Sequence, residues 1–344
     1  MLAPVAWQHG DVTQAAAVHE QATQIAAQVL FPAAMDVDAS DRVPASHLDL
    51  LAAEGFYALA GPPEESGAGI DAAAACRVIE ILAGGCLATT FVWLQHHSSV
   101  RAVSAAGGPL RAEWLGPLCR GIRRSGVALG GTQPGPPLLR ARPVAGGYLL
   151  DGSSPWVTGW GMVDTLYTAA RDEQDNIVTA LLAAEPGHTL SADPLRMVAV
   201  NASGTVSARF DGHFVPARRV TAVLPHREWL ARDAMNLRIN GSLALGVAGR
   251  CCALIGPSPL DGELARRRAD LDTAAPEQMP AARAAASELA IRAAAALVAV
   301  QGSRAILAGQ HAQRLAREAL FLLVFASRPA IKAHLAGRLT AAAT

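Results

Sequence analysis

The sequence predicts an α+β fold in three consecutive parts: an N-terminal helical domain at 1–125, a middle β-barrel or sandwich domain at 126–225, and a C-terminal helical bundle at 226–344. Three observations predict it. Apolar residues recur at helical spacing as far as about Arg120, as Val18, Ile25 and Val29 do. Near Gly126 the texture shifts to short alternating runs broken by Gly, Pro, Asp and Asn. From Glu228 the helical period returns in long alanine-rich stretches. A chain of 344 residues also exceeds one core of ordinary size, so division is the physical expectation.

In the first part, Leu48, Leu51 and Phe56 follow Ser46, a candidate helix cap. Glycines and prolines at Gly61–Gly69 interrupt the pattern, and Asp71 can cap a new helix leading to Ile79 and Leu82. Strands are expected at 148–151, 177–182 and 205–210; in the last, Val206, Ala208 and Phe210 share one face while Thr205, Ser207 and Arg209 share the other. Helices are expected from Leu237 to Leu254, from Pro280 towards Leu307 and from Ala312 to Leu339. The region 256–275 reads as a shortened helical connection. These helices should pack as a bundle, within the chain or across a dimer.

Composition narrows the function. Hydrophobic residues make up 51% and charged ones 17%, a thin polar coat that implies cover by another subunit. Net charge is zero, which excludes the electrostatic footprint of a nucleic-acid or anionic-membrane binder. Cys76, Cys86, Cys119, Cys251 and Cys252 lack metal-site spacing and read as reduced core thiols. Met1 to Val5 has no basic segment leading into an apolar core, and no uninterrupted apolar run reaches about 18 residues. A cytoplasmic protein without membrane insertion is the expectation.

Four stretches carry chemistry: Pro62-Pro-Glu-Glu-Ser-Gly-Ala-Gly-Ile, Gly131-Thr-Gln-Pro-Gly, Gly147-Tyr-Leu-Leu-Asp-Gly-Ser-Ser-Pro-Trp-Val-Thr, and Arg209-Phe-Asp-Gly-His-Phe-Val-Pro-Ala-Arg-Arg-Val. In order and spacing they resemble motifs of the acyl-CoA dehydrogenase family, and Arg314-Leu-Ala-Arg-Glu-Ala is similar to that family's last long helix. The resemblance implies an FAD-dependent oxidoreductase of fatty acid metabolism that desaturates an acyl thioester and passes electrons to an electron-transfer flavoprotein. It implies a homo- or hetero-oligomer. It also implies that Gly131, Thr132, Gln133, Trp156 and Thr158 border the isoalloxazine: a flat, apolar ring with acceptors along one edge suits an aromatic wall and hydroxyl or backbone donors.

On the helix Ala88–Ser99, His96 or His97 could meet a substrate carbonyl or act as acid or base; adjacent residues lie about 100° apart, so at most one faces a pocket. Trp93 reads either as pocket lining or as core.

The sequence also departs from the family. The glutamate that removes the α-proton is replaced: one family register puts Ala326 at the base position, the other Asn236. Asp233 and Glu318 are the nearest carboxylates. Gly135-Pro-Pro shortens the loop that meets flavin phosphates and thioester, and the family's glycine-rich and arginine motifs for a neighbouring subunit's flavin are missing. Three readings follow: a diverged dehydrogenase with another base, a non-catalytic partner subunit of a heteromeric dehydrogenase, or a flavin-dependent monooxygenase on the same fold.

Overall fold

A computed structural model of the chain describes residues 12–65 and 67–341, without the side chains of Val12 and Asp233. The leader expectation at Met1 to Val5, and Ser66 within the first motif, lie outside the described residues. Helix α1 (Val12–Ile25) runs through a π turn into α2 (Phe31–Asp38), followed by α3 (Ala45–Ala53), α4 (Ala72–Gly85), α5 (Leu87–Ala106) and α6 (Gly108–Cys119). Asp71 caps α4, its carboxylate accepting from the Ala74 amide at 2.7 Å. Ser46 does not cap α3. Pro44, with φ −56° and ψ 134°, holds the cap position and places Ser46 inside the first turn.

The middle part is one eight-stranded sheet, ordered β6-β7-β3-β2-β4-β5-β8 with β1 beside β4. Its strands are β1 (Ser125–Ala128), β2 (Leu139–Val144), β3 (Gly147–Val157), β4 (Thr165–Arg171), β5 (Asn176–Ala183), β6 (Leu190–Pro194), β7 (Val206–Pro216) and β8 (Val220–Pro225). Most pairs are antiparallel; β1 and β4 run parallel, and β2 meets β4 only at Arg140 and Arg171. That narrow joint lets the sheet fold over a core shared by Leu139, Leu150 and Phe210 from one half and Leu166, Val178 and Leu182 from the other. Val206, Ala208 and Phe210 point inward, and Arg209 points out, as the alternation requires.

Six helices follow: α7 (His226–Ala231), α8 (Asp233–Ile255), α9 (Pro259–Thr273), α10 (Met279–Gln301), α11 (His311–Val324) and α12 (Pro329–Thr340). The stretch at 256–275 is no shortened connection. It holds a helix of 15 residues, α9, opened by Asp261, whose Oδ2 accepts the Ser258 amide at 2.8 Å, and packed on α8 and α10. The segment Met279–Ile306, with mean hydropathy 1.4, is long and apolar enough by length and composition to cross a membrane. In the bundle it is the central helix, and its Arg283, 1% exposed, donates to Ser287 Oγ and to the Leu322 carbonyl.

The N-terminal helices and the bundle share one core through α4 and α8. Their backbones meet at Gly246, where a Cβ would sit 2.4 Å from the Glu80 carbonyl oxygen. All five cysteines are free and buried.

Candidate functional site

At the end of β3 the register with β7 shifts between Ser154 and Val157. Trp156 adopts φ 62°, a left-handed conformation that a bulky residue rarely takes. The outcome is an indole 63% exposed, flanked by Val157 and Thr158, which are buried. An apolar surface held outward at a cost in backbone strain is a wall waiting for a flat partner. The Thr158 hydroxyl is turned inward instead, sharing a hydrogen bond with Thr205 Oγ1 at 3.2 Å, which in turn lies 2.7 Å from Ser203 Oγ.

The 131–135 loop is gripped from behind. Arg171, 7% exposed on β4, donates from Nε to the Gly131 carbonyl at 3.1 Å and from Nη2 to the Gln133 and Gly135 carbonyls at 2.7 and 2.8 Å. Its Nη1 lies 3.1 Å from His226 Nδ1. A guanidinium has no acceptor, so Nδ1 must be the acceptor and the imidazole proton sits on Nε2, which donates to the Thr132 carbonyl at 3.1 Å. Four successive structural demands thus converge on one loop. Thr132 Oγ1 donates to the Leu129 carbonyl at 2.9 Å, a local turn.

These residues fit part of a flavin. Trp156 offers a face for a tricyclic ring, and the 131–135 loop is held in place by the bonds to its carbonyls. The next two residues, Pro136 and Pro137, carry no N–H, so this loop cannot supply the run of amides that cradles a diphosphate. The ring side fits; the diphosphate side does not.

A second feature lies among α4, α5 and α8. Leu94, His97 and Arg101, spaced along one face of α5, border a cavity of about 20 Å³ whose other walls include Ala72, Cys76 and Ile239. His97, not His96, faces it. His96 is spent on structure: Nε2 lies 3.1 Å from the Leu118 carbonyl and Nδ1 accepts the Ser125 amide at 3.2 Å, while burial pulls its pKa down to about 3. Neither nitrogen is left for a substrate. Both nitrogens of His97 are buried without a partner, and burial holds its pKa well below the ordinary value, so it is a neutral imidazole. Trp93 is fully buried, edge-on to Phe56 and His97. Phe91 packs on Phe321 and Phe325, away from the cavity.

The base positions hold no carboxylate. Asn236 is half-buried on the first turns of α8, one residue from the cavity-lining Met235. Ala326 takes φ 50° in the corner between α11 and α12. Glu318 is 3% exposed and bound to Arg314 Nη1, itself buried, so it reaches neither Trp156's exposed face nor the cavity lining. The side chain of Asp233 lies outside the described residues. Sequence reasoning missed Arg171 and His226, which no short motif links, and Arg101. The last was legible as one helical turn beyond His97 and two beyond Leu94.

Comparison with known proteins bears on these features. Residues 13–122 match the family described as acyl-CoA dehydrogenase, N-terminal domain. The chain is 26% identical over 198 residues to the mitochondrial short-chain specific acyl-CoA dehydrogenase of Bos taurus, covering 54% of this chain and 48% of that one. It is 26% identical over 243 residues to the benzylmalonyl-CoA dehydrogenase of Aromatoleum aromaticum, covering 67% and 64%. The chain therefore spans about half to two thirds of the length of these curated relatives. In structure it is similar to a glutaryl-CoA dehydrogenase from Mycobacterium smegmatis in complex with FADH2, with a TM-score of 0.80 at 17% identity over 97% of this chain and 96% of that one.

Proposed function

We propose that the chain is an acyl-CoA dehydrogenase-like flavoprotein that takes FAD and an acyl thioester, a reading supported by the match of residues 13–122 to that family's N-terminal domain and by the similarity in fold along 97% of the chain. The observation that carries this reading is Trp156, exposed in a left-handed conformation beside the immobilised 131–135 loop. When bound, the flavin supplies a hydride acceptor for the α,β-desaturation of the acyl chain. Trp156 packs on the ring, the Thr132 loop meets its polar edge, and the thioester's acyl group enters between α5 and α8. An electron-transfer flavoprotein is the oxidant, the protein works as an oligomer, and its place is the cytoplasm.

A second reading is favoured by the base positions. With Asn236 and Ala326 in place of a carboxylate, and none among the described residues lining the cavity, the chain fits a partner subunit whose companion supplies the glutamate. One experiment separates these readings: FAD titration of the purified protein, followed anaerobically by acyl-CoA. Flavin binding with bleaching supports the dehydrogenase. Flavin binding without bleaching, restored by co-expression with a glutamate-bearing homologue, selects the partner subunit. Failure to bind FAD at all removes both.

A further inference from the structure

We propose that this chain recognises a flavin by its ring alone, so that riboflavin, FMN and FAD bind it with affinities that differ less than tenfold. This rests on the flavoprotein reading above and narrows it to one half of the cofactor. In FMN and FAD the first phosphate hangs from the ring by a short ribityl chain, so the groups that could hold it belong to the segments beside the ring: the 131–139 loop and the end of β3. A diphosphate is held by successive amides, by cations or by a helix N-terminus. The loop offers none of these. Pro134, Pro136 and Pro137 have no N–H. The amides of Gly131 and Thr132 are bonded to the Ala169 and Leu129 carbonyls, and those of Leu138 and Leu139 both to the Gly130 carbonyl. Gln133 and Gly135 hold the two that remain, and Pro134 separates them, so no two neighbouring amides converge on an anion. Residues 126–139 include no Lys, Arg or His, and the loop runs into strand β2, not into a helix. The buried cation behind it is spent, since Arg171 donates to three carbonyls and pairs with Asp175.

The end of β3 is no better supplied. Pro155 has no N–H, the Thr158 hydroxyl is turned inward, and the amides of Gly159 and Trp160 are bonded to the Ser203 and Gly204 carbonyls at 2.9 and 3.1 Å. Arg209, opposite Ser153 on β7, shares its groove with Asp193 and Asp211, whose carboxylates repel a phosphate. Arg42 is exposed against Gly161, and one exposed charge pair adds less than tenfold to binding. The ring side is the opposite case, because Trp156 turns its indole outward in a left-handed conformation. Stacking on an indole depends on the face of the ligand and not on what hangs from it. The ring therefore carries the affinity, and the ADP half of FAD gains nothing from this chain.

The test is fluorescence titration of the purified full chain with riboflavin, FMN and FAD, followed by competition with ADP. The three dissociation constants should agree within tenfold, ADP in large excess should displace no FAD, and Trp156→Gly should weaken all three flavins by the same factor. FAD bound tenfold or more tightly than riboflavin, or displaced by ADP, overturns recognition by the ring alone and leaves the flavoprotein reading standing. Both results come from the wild-type protein and need no variant to fold. If none of the three flavins binds, the flavoprotein reading falls and this inference with it.

Discussion

His226 donates through Nε2 to the carbonyl of Thr132, 94 residues earlier in the chain, at 3.1 Å, while its Nδ1 accepts from Arg171. The contact spans the whole middle domain and fixes one tautomer. Arg171→Met removes three carbonyl bonds from the 131–135 loop and leaves the buried Gly131 carbonyl without that donor, which should cost about 2 kcal/mol of stability and lower FAD affinity at least tenfold. Thermal unfolding and flavin titration check the two effects. His226→Gln, which keeps a donor at the same reach, should retain more of both than His226→Ala.

At Trp156 stability and binding should move in opposite directions. Glycine takes φ 62° without the penalty a tryptophan carries, so Trp156→Gly should leave the apo-protein as stable or more stable by about 1 kcal/mol. FAD binding should weaken by tenfold or more. Paired denaturation and fluorescence titrations read both, and a variant that unfolds would contradict the view that this indole serves a ligand.

How far the chain could be read from its residues differs between fold and site. Alternation at Val206, Ala208 and Phe210, and the cap at Asp71, are local signals, and local signals survive into the structure. Helix α9 carried such a signal in Ser258 and Asp261, obscured by a charge-rich composition that suggested a connection. The site is another matter. Trp156 and Thr132 stand in motifs, but the clamp behind them depends on pairing between β2 and β4 that no periodicity encodes. Spacing said that only one of His96 and His97 could face a pocket; which one depends on where the Leu118 carbonyl and the Ser125 amide fall.

Acid should destabilise the protein from about pH 6.5 downward. His96, with its pKa lowered to about 3, and His97, held well below the ordinary value by burial, are neutral when folded but take up protons when unfolded, so the unfolded state gains protons first. Each costs roughly 1.4 kcal/mol per pH unit below 6.5 until its folded pKa is reached. Denaturation midpoints at pH 7.5, 6.5 and 5.5 measure the slope. His97→Leu should make that slope shallower and raise stability at pH 7.5, since both of its nitrogens are unpartnered.

Gly246→Ala should lower stability by about 2 kcal/mol, because its methyl would meet the Glu80 carbonyl at 2.4 Å and the Ala83 methyl at 2.7 Å. Neither neighbour can retreat without parting α4 from α8. Thermal unfolding gives the loss; Gly249→Ala, whose Cβ would meet only Leu264 at 3.4 Å, is the control expected to change little.

Leu320 and Val324 lie one turn apart on α11 and are 49% and 68% exposed; Ile306 and Leu307, after α10, are 76% and 56% exposed. Such apolar exposure fits the oligomer proposed above. Light scattering should give a mass at least twice the chain's 35.6 kDa, and Leu320→Asp with Val324→Asp should reduce it to that of one chain. A monomeric wild-type protein would end that proposal.

The amide of Ser125 opens β1 yet is bonded to a histidine ring on α5, and the Ser125 hydroxyl is joined to that of Ser99 on the same helix. Its exchange with deuterated solvent therefore reports on the helix as much as on the sheet. Breaking the helical domain away must free this proton, so the two parts should melt as one cooperative unit, and a labelling time course should find Ser125 among the last amides of the N-terminal half to fill.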